Sequence, residues 1–494
     1  MDLAKLIVPN RGEIAVRIAR ACREMGIVSV LAHAEDDDVR FVRRFFDESV
    51  SLGRGDARAT YLDVGRVIDA ARSCGADALH PGYGFLSERA ELSAACEDAG
   101  ITFVGPRASS IAAMGSKAES RRLMKALGVP VVPGYDGEEQ SIERLTNEAA
   151  SIGFPLLVKA SAGGGGKGMK IVRRPEELVT SIESAQREAL KAFGDDRLLL
   201  ERYIEEPRHV EFQIFGDTQG NIVHLFERDC SIQRRHQKVV EESPAPHYSD
   251  ELRQEMARAA LAAARGVEYR NAGTVEFILT PGGEFYFLEM NTRLQVEHPV
   301  TELVTGVDLV RAQIDVAAGK PLPWKQEEIR QRGHAIQVRI YAEDPDDRFL
   351  PQSGSIAHYV EPAGPGVRVD AGVTGGSEIG VKFDPMLAKL ICSGATREAA
   401  VDRIVQALRE YVILGTRTNI SWLRRVVAHP AFREGRVSTR FLEDHADDLA
   451  LEVPGLVPLI AATIAAVPRK REVTGSTAGS LPSVWEQLGP WGRG

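Results

Sequence analysis

Cysteine is scarce. The 494 residues hold five, Cys22, Cys74, Cys96, Cys230 and Cys392, and no two stand in a Cys-x-x-Cys spacing. An odd, scattered set speaks against a disulfide framework and reads as reduced thiols of a cytoplasmic protein. Long apolar runs are also missing. The longest late one, Leu456 to Val467, is too short to span a bilayer. No signal-peptide pattern opens the chain, because Asp2 and Lys5 flank only a short apolar run. There is no excess of positive charge. The net charge of -9 argues against nucleic acid as the main partner. Two nucleotide fingerprints are absent as well. The first strand-turn, Leu6-Ile7-Val8 followed by Asn10-Arg11-Gly12, lacks the glycines of dinucleotide binding, and no Lys-Ser or Lys-Thr follows Gly168 as a Walker A loop requires. What remains is ordinary globular composition, 44% hydrophobic and 27% charged. The length suggests roughly three domains, and no internal repeats are visible.

One stretch concentrates polar groups: Phe285-Tyr286-Phe287-Leu288-Glu289-Met290-Asn291-Thr292-Arg293-Leu294-Gln295-Val296-Glu297-His298. It begins as a strand, bounded upstream by Pro281-Gly282-Gly283. Alternation puts Phe285, Phe287, Glu289 and Asn291 on one side. Thr274 to Leu279 precedes it, and the turn at Thr280 to Gly283 makes a β-hairpin. If Leu279 pairs with Glu284, Glu276 faces Phe287 and lies diagonal to Glu289. Two carboxylates and an amide (Glu276, Glu289, Asn291) can share a hard cation such as Mg²⁺. The competing reading is an edge hairpin with solvated glutamates.

In chain order, residues 1–115 alternate strand and helix and predict a parallel α/β sheet. Pro81 to Glu88 is a glycine-rich turn after the third strand, where open sheets bind ligands, or else an ordinary connecting loop. A second region, 116–320, opens on a helix at Lys117. It contains a compact insertion, about 131–203, with the strand Leu156 to Ala160 and then Gly163 to Gly168. Strand, glycine loop, strand describes a flap whose amides can close over phosphates, with a passive linker as the alternative. Lys159 and Lys167 favour phosphate. The basic run from Arg228 to Lys238 lacks interleaved aromatics and leads to Glu241 and Glu242, which suits an anionic substrate better than a solvated face. After Pro321-Leu322-Pro323 comes a mixed region, 321–446, where His334 to Tyr341 alternates like a strand and places Arg339 with Gln337 and Tyr341. Residues 447–494 read as a tail and linker toward further domains.

Together these landmarks resemble the biotin carboxylase family of the ATP-grasp superfamily, and within it the biotin carboxylase part of acyl-CoA carboxylase α-type subunits. The likeness runs from about residue 3 to 445. It rests on Asn10-Arg11-Gly12-Glu13-Ile14-Ala15, His80 to Glu88, Gly163 to Met169, Glu227 to Pro246 and Glu289 to Glu302. It implies an N-terminal α/β domain, an ATP-grasp domain with a mobile lid and a C-terminal mixed domain. It also implies synthesis of carboxybiotin from ATP, bicarbonate and carrier-bound biotin with Mg²⁺ or Mn²⁺. Carried over, Lys117, Lys159, His209, Gln233 and His236 contact the nucleotide. Glu201 with Arg202, Tyr203 and Ile204 holds adenine, and Gly164, Gly165 and Gly166 cover the phosphates. Glu276, Glu289 and Asn291 match the metal ligands. Lys238, Arg293, Gln295 and Val296 hold bicarbonate, Glu297 is the base, and Arg339, Tyr83 and Asp384 face biotin.

Two departures stand out. Pro9 replaces the usual alanine before Asn-Arg-Gly, and Lys382-Phe383 replaces the tyrosines that commonly precede the aspartate. No Met-Lys-Met biotinylation motif is present, so biotin is expected on another chain or on sequence beyond this one. The implied partners are a biotin carboxyl carrier domain and a carboxyltransferase subunit, in a homo-oligomer or larger carboxylase complex, with neither nucleic acid nor membrane. A pyruvate carboxylase role, another ATP-grasp ligase such as a carboxylate–amine ligase, and a catalytically silent scaffold are the competing functions.

Overall fold

The computed structural model describes residues 3–161 and 169–450. The expected parallel sheet is present: β1 (Lys5–Val8), β2 (Val28–His33), β3 (Glu48–Ser51), β4 (Ala78–Leu79) and β5 (Thr102–Phe103) lie in the order β3-β2-β1-β4-β5. Helix α1 (Gly12–Met25) buries Ile14, Ile18, Ala21 and Cys22 at helical spacing against it. Gly26 closes the helix in the left-handed conformation, where a side chain would be strained.

The insertion forms a small antiparallel sheet of β6 (Gly134–Tyr135), β7 (Leu156–Ala160), β8 (Lys170–Val172) and β9 (Leu198–Arg202), ordered β6-β9-β7-β8. The helices Ile142–Ile152 and Leu178–Phe193 flank it, and Leu145, Ala149, Val158, Ile182 and Leu200 make its core. Gly164, Gly165, Gly166 and Lys167 lie outside the described residues, as does everything after Ala450.

The site rests on one long sheet. Its strands are β10 (Arg208–Gly216), β11 (Ile222–Arg234), β12 (Gln237–Ser243), β13 (Asn271–Leu279), β14 (Phe285–Asn291) and β15 (His334–Tyr341). The strands Val367–Ala371 and Met386–Gly394 complete it. The order is β14-β13-β10-β11-β12-β15, then Met386–Gly394, then Val367–Ala371. The proline pair at 321 and 323 therefore separates stretches of chain but not of sheet, because β12 and β15 pair side by side from Val240↔Val338 to Ser243↔Ala335. Helix Asp250–Gly266 packs its alanines on β10 and β13 through Val210, Phe212 and Phe277.

The hairpin register corrects the expected alternation. Leu279 pairs with Phe285, and a bulge between Glu276 and Phe277 sets Glu276 opposite Glu289, not diagonal to it. One extra residue reverses which face follows. Phe285 and Phe287 pack into the apolar core with Phe277 and Met290, whereas Leu288, Glu289 and Asn291 line the cleft. The aromatic and carboxylate halves of the strand thus face opposite ways. The reason is a bulge that period-two reading cannot see.

Candidate active site

A cleft of about 1140 Å³ runs between the insertion and the long sheet. At one end stand Lys117, Lys159, Glu201, Arg202, Tyr203, Ile204 and His209. In the middle are Gln233, His236, Lys238, Glu276, Glu289 and Asn291. At the other end are Arg293, Gln295, Val296, Arg339, Tyr83 and Asp384. Segments from Tyr83 to Asp384, far apart in sequence, supply these groups, and only the fold brings them into one cleft.

The insertion end is rich in cations. The Lys159 ammonium lies 2.5 Å from the Glu201 carboxylate, which Arg121 also holds at 3.0 Å. Burial, and then the neighbouring Lys159, hold the Lys117 ammonium below its usual range. A cation disfavoured in this way gains from an incoming anion. The backbone amides of Arg202 and Tyr203 donate to the carbonyls of Pro133 and Pro155. That fixes the end of β9, beside which a flat ring could lie.

The centre is a buried charge hub. The Lys238 ammonium meets Glu211 at 2.5 Å, Glu276 at 2.6 Å and Glu297 at 2.7 Å. Burial opposes its charge, but the three carboxylates outweigh burial and raise it well above the usual range. Each carboxylate has a second partner. Arg228 holds Glu211 at 2.5 Å, His209 meets Glu276 at 2.9 Å, and Arg339 reaches Glu297 at 3.1 Å. Asn291 donates to Glu276 at 2.8 Å. Glu276 is consequently held far below the ordinary carboxylate range, despite its burial. Glu289, across the ladder, is pushed up by burial and then by Glu276. Two facing carboxylates with opposite shifts leave the charge of Glu289 without a direct cationic partner among the described residues. A divalent cation would supply one, so Glu276, Glu289 and Asn291 fit such an ion.

The far end gathers donors. Arg293 donates to Gln295 at 2.8 Å and to Asn291 at 3.1 Å, and Glu88 lies 2.9 Å from its guanidinium. Arg339 donates to Glu241 at 2.6 Å. Glu297 does not line the cleft. It is fully buried behind Lys238 and Arg339. Burial raises its carboxyl, Lys238, Arg339 and Arg228 more than offset this, and it stands ionised below the usual range. Asp384 sits at the rim, where it accepts from the Met386 amide at 2.9 Å. Phe383 packs beneath the Arg11 guanidinium, 4.3 Å from the ring centroid.

Sequence reading missed Glu211 and Arg121, and it met Arg228 and Glu241 only as members of the basic run and the acidic pair after it. Glu211 and Arg228 have no exposed surface at all. A signal for Glu211 exists: in β10, His209, Glu211 and Gln213 alternate with Val210, Phe212 and Ile214, a polar face on an otherwise apolar strand. Arg228 is, in sequence, one more member of a basic run. In the fold it is buried under Glu211, Gln213, Thr274 and Thr301, all within hydrogen-bond distance.

Comparison with known proteins agrees along the chain. Residues 2–111 match the family "Biotin carboxylase, N-terminal domain", 116–325 match "Carbamoyl-phosphate synthase L chain, ATP binding domain", and 337–444 match "Biotin carboxylase C-terminal domain". The mitochondrial methylcrotonoyl-CoA carboxylase alpha chain of Dictyostelium discoideum is 48% identical over 489 residues, 99% of this chain and 70% of that one. Against its counterpart from Oryza sativa, the chain spans 61% of the relative. A pyruvate carboxylase subunit of Methanothermobacter thermautotrophicus is 48% identical over 92% of each chain. The biotin carboxylase domain of Hydrogenobacter thermophilus 2-oxoglutarate carboxylase was solved as a dimer with MgADP, ADP and bicarbonate. It superposes with a TM-score of 0.87 at 46% identity, covering 92% of this chain and all of that one.

Proposed function

This chain belongs to the biotin carboxylase family, and we propose that its cleft makes carboxybiotin from ATP, bicarbonate and carrier-bound biotin, as the first half-reaction of an acyl-CoA carboxylase. The observation that carries the reading is the Lys238 hub. It joins Glu276, which faces Glu289 across the ladder, to Glu297 and through it to Arg339 within one buried cluster. Phosphate activation and proton removal are thereby set side by side.

Lys117, Lys159 and His209 are assigned to the phosphates. Glu201 with the 202–204 backbone takes adenine, Gln233 and His236 add nucleotide contacts, and the phosphate cover is assigned to Gly164, Gly165 and Gly166, which lie outside the described residues. Glu276, Glu289 and Asn291 would hold Mg²⁺ or Mn²⁺, which supplies charge neutralisation on the phosphates when bound. Lys238, Arg293, Gln295 and the Val296 backbone cradle bicarbonate. Glu297, already ionised, accepts the bicarbonate proton, and the oxyanion attacks the γ-phosphate, breaking its bond to the β-phosphate, to give carboxyphosphate and ADP. Breakdown releases CO₂ and phosphate, and that phosphate takes the proton from the ureido nitrogen of biotin. The Arg339 guanidinium faces the resulting enolate-like oxygen, with Tyr83 and Asp384 beside it. The domain division assigned is 1–115, 116–320 with its lid, and 321–446.

The partners fit a carboxyl carrier domain and a carboxyltransferase subunit in an oligomeric carboxylase. The likeness to the methylcrotonoyl-CoA carboxylase chains favours an acyl-CoA acceptor, and that to the pyruvate carboxylase chain keeps a keto-acid acceptor as the second reading. All five cysteines are free, which supports a reducing, cytoplasmic setting. Among the described residues no helix is long and apolar enough to cross a membrane. The test is ATP hydrolysis with and without bicarbonate and free biotin. Dependence on both is expected, and dependence on neither sinks the reading in favour of another ATP-grasp ligase. In Glu297→Gln, carboxylation should fall by about a hundred-fold or more, as for loss of a positioned base, with ADP affinity retained. Unchanged turnover removes Glu297 as the base.

A further inference from the structure

Glu13 has no part in the chemistry above, yet it is buried where three parts of the fold meet. It is the second residue of α1, and the start of that helix is pressed against the end of the long sheet. A Cβ on Gly372 would lie 2.5 Å from the Gly12 Cα. The Glu13 carboxylate accepts from the Tyr83 hydroxyl and pairs with the Lys389 ammonium at 3.1 Å. Asn10, in the same turn, donates to the carbonyls of Pro81 at 2.7 Å and Tyr83 at 2.8 Å. One short turn thus grips Tyr83 by both its backbone and its hydroxyl.

Lys389 carries the link across the sheet. It has no exposed surface. Its strand pairs it with Arg339 on one side and Asp370 on the other. Its ammonium donates to the Val296 carbonyl at 3.0 Å, the peptide that leads into Glu297. Asp370 lies 3.8 Å away and is itself held by Arg368 at 2.8 Å. Burying an ammonium is costly unless its geometry is fully used, and here one of its bonds goes to a lone carbonyl of the reactive loop.

We propose that Glu13 and Lys389 are positioning residues: Lys389 fixes the 295–297 backbone, Glu13 fixes Tyr83, and their contact holds the bicarbonate and biotin groups of the cleft at one separation. The proposal rests on the function assigned above. Reacting groups displaced by about 1 Å lose about a hundred-fold in rate, so a rigid link between the two sets of groups has a use. Burial, and then Asp370, push the Glu13 carboxyl up to about 7 against Lys389 and Arg368. Lys389 is the largest influence that opposes this rise.

The test uses the full chain with free biotin and bicarbonate, comparing Glu13→Gln, Lys389→Met and the double variant. Lys389→Met should raise KM for bicarbonate and lower kcat, together about a hundred-fold. Glu13→Gln should act mainly on KM for biotin. The double variant should be no worse than Lys389→Met by itself, because both act through one contact. ADP affinity should stay within about two-fold throughout. Lower thermal stability with unchanged KM values, or strictly additive losses, would reduce the pair to a structural staple and overturn the proposal. If a single variant fails to fold, the double variant, which removes both charges together, still reads the two KM values. The unaltered chain is the control. Without biotin and bicarbonate dependence there, the functional reading fails and takes this proposal with it. With that dependence intact, unaffected variants sink the proposal alone.

Discussion

Replacing Lys238 with Met leaves Glu211, Glu276 and Glu297 converging without the ammonium that all three share. The side chains are similar in length, so the change is mainly electrostatic. Removing one partner of a buried ion pair costs about 3–5 kcal/mol. The cluster can escape part of that cost by taking up a proton. At about 1.4 kcal/mol per pKa unit, the same energy raises one carboxyl by about 2–4 units. One of the three should then titrate higher in the folded variant than in the unaltered protein. The sign follows from linkage. A carboxyl raised in the native state binds a proton that the unfolded chain releases near its ordinary value of about 4.3, so stability is highest at low pH and is lost as pH rises through the folded value. The stability deficit of Lys238→Met should therefore be about 3–5 kcal/mol at about pH 8 and clearly smaller at about pH 6. Urea midpoints of the first unfolding transition, for both proteins at both pH values, measure it. A deficit equal at the two pH values, or larger at the lower one, would refute the idea that Lys238 neutralises the cluster.

Three further outcomes follow from the same geometry. In Glu289→Gln the uncompensated carboxylate is removed, so thermal stability in EDTA should hold or rise while the gain on adding Mg²⁺ with ADP shrinks; an unchanged gain would exclude Glu289 as a ligand. Gly372→Ala drives a methyl to 2.5 Å from the Gly12 Cα. It should cost about 1–3 kcal/mol, seen as a lower Tm, and a neutral result would mean that α1 can lift from the sheet. Burial first, helped by Arg17, lowers the His80 imidazole to about 3. The native state thus refuses a proton that the unfolded chain accepts near about 6.5. Stability should fall by about 1.4 kcal/mol per pH unit below that value, and His80→Gln should flatten the profile measured by denaturant titration.

Local patterns carried far in this chain. The strands Leu156–Ala160 and His334–Tyr341 fall where alternation and punctuation put them, because glycines and alternation act over a few residues. The carboxylate cluster at the hairpin was legible too, since Glu276, Glu289 and Asn291 lie on adjacent strands. Its face was not. The bulge that turns Glu289 away from Phe287 comes from pairing with β13, and no residue in β14 announces it. Arg228 shows the same limit from another side. Its neighbours in sequence form a basic run, and only the packing of sheet and helix buries it beneath Glu211 and Thr301.

By itself, the amino-acid sequence determined which elements form and which chemical groups are available, because those depend on short-range sterics and composition. Tertiary structure alone decided which charges meet. Lys238 joins carboxylates from three separate segments, and Lys389 ties α1 to the loop of Glu297 through the Val296 carbonyl. Such contacts bridge residues far apart in the chain, and a buried charge is tolerated only where the whole fold supplies its partners.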